Sequence, residues 1–174
     1  MNYPNFLEYL KEHDLECVLS RACHKSAPWF FSCEKQFNKI LEIGRCKGHS
    51  LAIFKLLWSD SYLLSIDTIL HPEVAKVLDH FKGKGITKLL HGDVRKLNET
   101  TIFNLVFIDG DHTQAGALKD WNGIQKNIKK GSIVVFDDLD HGYGCGKVFY
   151  DLQSEYKSEI VKANGVEVAG VLFI

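Results

Sequence analysis

Acidic residues cluster directly after two apolar segments in the second half of the chain. The run DGDH occupies positions 109–112 and the pair DD occupies 137–138. If the two segments are neighbouring parallel strands, their carboxyl ends lie about 5 Å apart, so Asp109, Asp137 and Asp138 meet at one edge of the sheet. Crowded carboxylates repel one another unless a cation lies between them. The pattern predicts a divalent-metal site for Mg²⁺, with Mn²⁺ or Ca²⁺ as alternatives. In the competing interpretation these aspartates only cap the helices that follow.

A second feature is a turn with two glycines at the end of an earlier apolar segment, in the run LEIGRCKGHS at 41–50. Gly44 and Gly48 let the backbone bend tightly and approach a ligand, and the helix that follows offers free N–H groups. Ordinary strand-to-helix turns also use such glycines. A pyrophosphate-binding loop would read GxGxxG and avoid a carboxylate, so Glu42 favours a cationic ligand without phosphate.

Two further strand-like segments also end in acids. Asp67 ends the second segment, where a carboxylate is well placed to accept both hydroxyls of a ribose. Gly92 and Asp93 end the third segment. Ligands of open α/β sheets collect at the carboxyl ends of the strands, so these residues are candidates for the same ligand site.

The elements that must position these residues alternate along the chain. Apolar segments rich in β-branched residues predict strands at 39–43, 62–66, 87–90, 102–108 and 132–136, and amphipathic spacing predicts helices at 50–58, 72–81, 115–128 and 147–156. This alternation predicts a parallel α/β sheet. The turn signal at Asn164 and Gly165 separates two last strands, 159–163 and 166–174, which predicts a hairpin at the sheet edge. A leader over 1–37 with a helix at 6–19 is expected to pack on one face, so that 1–174 forms a single domain.

Composition narrows the class of protein. The 174 residues carry a formal net charge of −1, and no apolar run approaches the length of a membrane span, so neither a nucleic-acid partner nor a membrane is expected. The start of the chain does not read as a signal peptide, which predicts a cytoplasmic protein. The five cysteines lack CxxC spacing, so we interpret them as reduced thiols. Cys23, His24 and Cys33 could suggest a metal site, but without a second close pair they are better explained as thiols and an ordinary histidine.

Taken with these motifs, residues 38–174 resemble class I S-adenosylmethionine-dependent methyltransferases, and most closely the small metal-dependent O-methyltransferases of the macrocin, catechol and caffeoyl-CoA type. The resemblance implies a Rossmann-like three-layer sandwich with a mostly parallel sheet in the order 3-2-1-4-5-7-6 and an antiparallel last strand. It assigns metal binding to Asp109, Asp137 and Asp138. It assigns cofactor binding to Glu42, Gly44, Gly48, Ser50, Asp67, Thr68, Gly92, Asp93, Val94 and Asp109.

The resemblance also bears on catalysis. Catechol-type enzymes carry a lysine three residues beyond the first metal ligand as general base, and the matching residue here is His112. A neutral imidazole can remove a proton near pH 7, and Asp109 is the second candidate for the base. His141 and Tyr143 are expected to border the acceptor pocket, and His49 to approach the cofactor. Trp121 is a further candidate near the cofactor, although a core position is the more common place for such a residue.

The expected activity is methylation of a small hydroxyl-bearing molecule with S-adenosylmethionine and Mg²⁺ or another divalent cation. The short leader offers little material for a lid, so either a second subunit in a homo-oligomer closes the pocket, or the acceptor is large or itself part of a macromolecule. One alternative is a catalytically silent module that binds S-adenosylmethionine or S-adenosylhomocysteine as a sensor or partner subunit. Another is a nicotinamide-dependent oxidoreductase, which requires a different glycine loop.

Overall fold

A computed structural model describes residues 1–19, 25–97, 100–139, 142 and 144–174. The strands are β1 (Lys39–Ile43), β2 (Tyr62–Asp67), β3 (Ile86–His91), β4 (Leu105–Ile108), β5 (Ile133–Asp137), β6 (Lys157–Ala163) and β7 (Val166–Phe173). The α-helices are α1 (Tyr3–Glu12), α2 (Ala27–Ser32), α3 (His49–Leu57), α4 (Val74–His80), α5 (Gln114–Ile124) and α6 (Gly144–Leu152). Short 3₁₀ turns occupy Glu16–Val18, Val94–Lys96 and Gln125–Asn127.

The seven strands form one sheet in the order β3-β2-β1-β4-β5-β7-β6. The five strands from β3 to β5 pair in parallel, and β7 pairs antiparallel with both β5 and β6. The predicted order and the predicted hairpin are therefore confirmed. Ile43 is in register with Ile108, and Ile108 with Phe136, so the residues that follow β1, β4 and β5 emerge side by side.

Helices cover both faces of the sheet. On one face, Phe6 of α1 and Phe30 of α2 join a buried cluster with Phe54 of α3 and Phe107 of β4. The leader therefore packs on the sheet as expected. The other face is covered by α5 and α6, whose Trp121 and Phe149 belong to a second buried cluster. No helix in the described ranges combines the length and the apolar character that a membrane crossing requires.

Several elements begin or end at residues other than the predicted ones. The first helix covers Tyr3–Glu12 instead of 6–19, because Asn2 caps its start and Asp14 takes a left-handed backbone (φ +54°) just beyond its end. β4 begins at Leu105 instead of at 102, because the Phe103 N–H donates to the Asn127 carbonyl, 2.8 Å away, before the strand starts. The α-helical part of α5 stops at Ile124, ahead of the predicted 128, and a 3₁₀ turn follows.

Candidate active site

A cleft of about 670 Å³ opens at the carboxyl ends of the parallel strands. The predicted site residues that line it are Gly44, Asp67, Thr68, Gly92, Asp93, Val94, Asp109, His112, Asp137 and Asp138. The cleft thus collects residues that follow five different strands, as ligand sites of open α/β sheets do.

Gly44 brings the end of β1 against the end of β4. Its backbone is left-handed (φ +88°), and a Cβ at this position would lie 1.8 Å from the carbonyl oxygen of Asp109. Any side chain here would therefore separate the two strand ends. Gly48 is also left-handed (φ +94°) and precedes α3, but it packs near Val77 and lies outside the cleft lining.

Glu42 lies beneath the glycine turn and does not line the cleft. Its carboxylate is fully buried and accepts hydrogen bonds from the hydroxyls of Ser50 and Ser65. The Arg45 guanidinium, only 2% exposed, donates to the Ser65 carbonyl at 2.9 Å and to its hydroxyl at 3.3 Å. Ser65 therefore connects the buried carboxylate of Glu42 to the buried guanidinium of Arg45. Glu42 and Ser50 support the loop on the side that faces away from the cleft.

Asp67 holds the same loop from the other side. One carboxylate oxygen accepts the backbone N–H groups of Arg45 at 2.9 Å and Cys46 at 2.7 Å, and the other accepts the N–H of Ile69 at 2.7 Å. Cys46 adopts a left-handed backbone (φ +46°) that this anchoring maintains. The acid at the end of β2 therefore fixes the glycine turn as well as lining the cleft.

At the end of β3, Asp93 is held by Arg95. The Arg95 backbone N–H and its Nε each donate to one Asp93 oxygen at 2.8 Å, and the guanidinium also pairs with the other oxygen. These bonds lower the pKa of Asp93 to about 2, so its carboxylate is ionised at any physiological pH.

Asp109, His112 and Asp138 converge so that one ligand atom from each lies within 4.8 Å of the others. His112 Nε2 is 3.4 Å from Asp109 and 3.3 Å from Asp138. Asp138 reaches this position through a left-handed backbone (φ +57°), which is uncommon outside glycine and asparagine. The hydrogen bond to Asp109, followed by the charges of Asp138 and Asp137, raises the pKa of His112 despite its partial burial.

This cluster differs in one member from the predicted metal site. Asp137 lines the cleft but is only 5% exposed, and it does not belong to the group of three within the described part of the chain. His112 takes the third place. The three side chains are close enough for one cation to contact all of them, so the residues fit a divalent metal.

Asp120 of α5 also lines the cleft and was missed by the sequence analysis. Burial, followed by the charges of Asp93 and Asp111, raises its pKa to about 6. Nothing in the sequence distinguishes this aspartate from an ordinary polar residue on a helix surface. Its role depends on how α5 packs against the loop after β4, which local pattern does not reveal.

Other candidates divide between the cleft and the undescribed part of the chain. His49 lines the cleft as expected, is 3% exposed, and has its Nε2 3.4 Å from the Tyr3 hydroxyl. His141 and Tyr143, expected at the acceptor pocket, lie outside the described residues, and so do Cys23 and His24.

The sequence profile of a family described as "Methyltransferase domain" matches residues 41–139. The uncharacterized protein R132 of Acanthamoeba polyphaga mimivirus is 27% identical over 154 residues, which covers 74% of this chain and 68% of that protein.

Among solved structures, CalS11, a TDP-rhamnose 3'-O-methyltransferase of calicheamicin biosynthesis, is similar with a TM-score of 0.64 and 22% identity over 99% of this chain and 83% of its own. The SAH-bound Podospora anserina methyltransferase PaMTH1 has a TM-score of 0.66 and 17% identity, covering 94% and 86%. The N-methyltransferase NodS of Bradyrhizobium japonicum, bound to S-adenosyl-L-homocysteine, has a TM-score of 0.62 and 14% identity, covering 93% and 84%. At these identities the likeness concerns the fold, which these O- and N-methylating proteins share.

Proposed function

The chain belongs to the methyltransferase-domain family, whose members take their methyl group from S-adenosylmethionine, and from this premise we propose that it methylates a hydroxyl group of a small molecule with the help of a divalent cation. The observation that carries the proposal is the convergence of Asp109, His112 and Asp138 on one point of the cleft. A transferase acting on nitrogen has no evident need for a cation site beside the reacting atoms, whereas a hydroxyl must lose its proton.

S-Adenosylmethionine would occupy the part of the cleft between the glycine turn and the ends of β2 and β3. In this proposal Asp67 and Thr68 face the ribose, and Gly92, Asp93 and Val94 border the adenine. Asp67 already accepts three backbone N–H groups, two on Oδ2 and one on Oδ1, so Oδ1 retains one acceptor position for a ribose hydroxyl. Glu42, Gly48 and Ser50 contribute by shaping the turn rather than by touching the cofactor.

The donor set also bears on the choice of cation. Two carboxylates and an imidazole suit Mn²⁺ and other metals that accept nitrogen ligands better than they suit Mg²⁺, which prefers oxygen. When bound, such a cation lowers the pKa of the acceptor hydroxyl. Asp137, next to Asp138 and close enough to His112 to influence its charge, remains a predicted fourth contributor.

Where His112 Nε2 binds the cation, its lone pair is occupied and the proton of the acceptor hydroxyl would pass to the Asp109 carboxylate; His112 Nε2 would accept it only where the carboxylates hold the cation without the imidazole. The two groups lie 3.4 Å apart, so both reach the same side of the cleft. The raised pKa makes His112 a stronger base, but only its neutral fraction is able to accept a proton. Asp109 contacts Nε2 itself, so this interaction holds the imidazole beside the carboxylate.

Calorimetric titration with S-adenosylmethionine, with and without Mn²⁺ or Mg²⁺, tests the two halves of the proposal separately. Asp67→Asn removes one of the two anchoring oxygens and is expected to weaken cofactor binding by about tenfold or more. Asp138→Asn keeps a residue that tolerates the left-handed backbone and removes a cation ligand, so it should abolish cation binding and leave cofactor affinity within about threefold. Asp79→Asn, on the exposed surface of α4, is the matched control.

Turnover is then measured as S-adenosylhomocysteine formed from S-adenosylmethionine in the presence of catechols, sugars and other hydroxyl compounds. Cation-dependent turnover that Asp138→Asn removes would support the proposal. Cofactor binding without a cation site would contradict metal assistance, and the absence of any binding of S-adenosylmethionine to the wild-type protein would contradict the whole assignment.

A further inference from the structure

The carboxyl group of Asp120 packs against the loop that carries Asp109 and His112. Asp120 lies on α5, one and a half turns beyond the start of the helix, and it faces back toward the end of β4. Its Oδ2 would be 2.8 Å from a Cβ at Gly110, so only glycine allows this approach. The Asp111 backbone N–H lies close enough to this carboxyl group to lower its pKa, which opposes the effect of burial.

The loop is fixed to the helix at its other end as well. Asp111 accepts the Thr113 N–H at 2.9 Å, and the Thr113 hydroxyl caps α5 by accepting the Gly116 N–H at 3.0 Å. The Asp111 side chain lies directly over Gly116, where a Cβ would meet it at 2.2 Å. The first turns of α5 therefore hold Asp111 from both sides, through the Thr113 cap and through Asp120.

We propose that Asp120 is a positioning residue that holds the loop at 109–112, so that Asp109 and His112 face Asp138 across the cleft. Asp120 itself does not belong to the cluster of three, and it acts through the Asp111 amide. The inference rests on the proposed function, because the purpose of holding the loop is to keep the cation and proton groups in place.

A carboxyl group at this position lowers the stability of the fold when it ionises, and this loss of stability supports a functional role for Asp120. Burial raises the pKa of Asp120 to about 6, the charges of Asp93 and Asp111 add to the effect, and the nearby charge of Arg95 offsets only part of it. An ionised carboxylate is therefore less stable here than in the unfolded chain. Ionisable residues with strongly shifted pKa values are concentrated at functional sites, where the geometry that they maintain offsets the loss of stability.

The test compares Asp120→Ala, which removes the acceptor, with Asp120→Asn, which keeps an oxygen for the Asp111 N–H. Asp151→Ala, on the exposed part of α6, is the matched control. Hydrogen exchange of the Asp111 amide is followed by NMR, and Mn²⁺ affinity by electron paramagnetic resonance. In Asp120→Ala we expect the amide to exchange about tenfold faster and Mn²⁺ to bind about tenfold more weakly, with S-adenosylmethionine affinity within about threefold of wild type. In Asp120→Asn both values should stay within about threefold of wild type.

If Asp120→Ala does not fold, the wild-type protein and Asp120→Asn still decide the question. The Asp111 amide shift of the wild type should follow a titration with a midpoint near the pKa of about 6 carried by Asp120, and that transition should vanish in Asp120→Asn. An Asp111 amide that shows neither this transition nor faster exchange would overturn the inference. Failure of wild-type Mn²⁺ binding would instead refute metal assistance, because the amide measurements do not depend on a cation.

Discussion

At the scale of single residues, the two ends of the glycine turn are not equivalent. Gly44 needs its left-handed backbone and also the missing side chain, because the Asp109 carbonyl occupies the place of a Cβ. Gly48 needs the backbone freedom but has ordinary contact distances around it, the nearest atom being 3.4 Å from a Cβ. Gly44 is therefore required by the contact between the ends of β1 and β4, whereas Gly48 is required by the backbone conformation at the start of α3.

Gly44→Ala is expected to prevent stable folding or to lower the free energy of unfolding by more than ~3 kcal/mol, because strain and overlap add. Urea denaturation followed by circular dichroism measures the change. Gly131→Ala is the matched control: this residue is also left-handed (φ +95°) but has no atom within 4 Å of its Cβ position, so it should lose only ~1–2 kcal/mol. Equal losses for the two variants would show that contact with Asp109 contributes nothing.

Asp120 makes the stability of the fold depend on pH in a predictable direction. Its folded pKa of about 6 is above the usual 3.8, so the group stabilises the fold below pH 4 and that stability is lost as the pH rises through 6. Asp120→Asn should therefore be ~1–3 kcal/mol more stable than wild type at pH 8 and close to wild type at pH 4. Urea denaturation across this range measures the difference, and Asp151→Asn, which makes the same change on the exposed part of α6, is the control. A pH-independent difference for Asp120→Asn would contradict the assigned burial.

At the scale of elements, the leader is part of the core rather than an attachment to it. Phe30 of α2 is buried with its ring edge-on to Phe54 at 5.1 Å and to Phe107 at 5.4 Å, and Phe107 belongs to a strand at the centre of the sheet. The neighbouring Phe31 is only partly buried and contacts the rings of Tyr3 and Phe6 of α1.

Phe30→Ala should lower the free energy of unfolding by ~3–5 kcal/mol, because it leaves a cavity between α2, α3 and the sheet. Phe31→Ala makes the same chemical change one residue along the same helix and should cost less than half as much, since water already reaches its site. Thermal or urea unfolding compares the two. A smaller loss for Phe30→Ala than for Phe31→Ala would mean that the leader is held mainly through α1.

The ends of the five parallel strands could be predicted from the sequence to within one residue, because each of these strands ends at or just before a glycine or an acid. The edge hairpin could also be predicted, since Asn164 and Gly165 favour one kind of turn. The element boundaries were less accurate. The start of β4 and the end of α5 depend on contacts between them, Phe103 with the Asn127 carbonyl and the Asn127 side chain with Thr101, which no local pattern contains.

The site could be predicted in part for the same reason. Asp67 ends β2, and Asp109 and Asp138 follow β4 and β5; strand ends share one edge, so all three line the cleft, while their roles in binding stay predictions. Glu42 belongs to the same motif but is the last-but-one residue of its strand, and its side chain lies under the turn with two serines. Asp120 projects from a helix, and only tertiary packing brings it to Gly110.

At the scale of the whole molecule, the charge is nearly balanced while the cleft has an excess of acidic groups. The chain carries a formal net charge of −1, and the cleft lining sets four cationic side chains (Lys25, Arg45, Lys47 and Lys119) against the carboxyl groups of Asp67, Asp93, Asp109, Asp111, Asp120, Asp137 and Asp138. Low-dielectric walls with an excess of one sign of charge concentrate ligands of the opposite sign. S-Adenosylmethionine, with a sulfonium and an ammonium group, suits this field better than a dinucleotide with a pyrophosphate.

Ligand binding should therefore stabilise the entire fold in a ligand-selective way. A ligand at 100 times its dissociation constant stabilises the native state by ~2.7 kcal/mol, which raises the melting temperature of a domain of this size by ~5–10 °C. S-Adenosylmethionine should produce such a shift, NAD should not, and Asp67→Asn should reduce it at equal ligand concentration. A shift with NAD alone would favour the oxidoreductase interpretation. A shift with S-adenosylmethionine, combined with neither cation binding nor turnover, would favour the silent binding module, because cation binding and turnover are the two properties that distinguish the proposed enzyme from it.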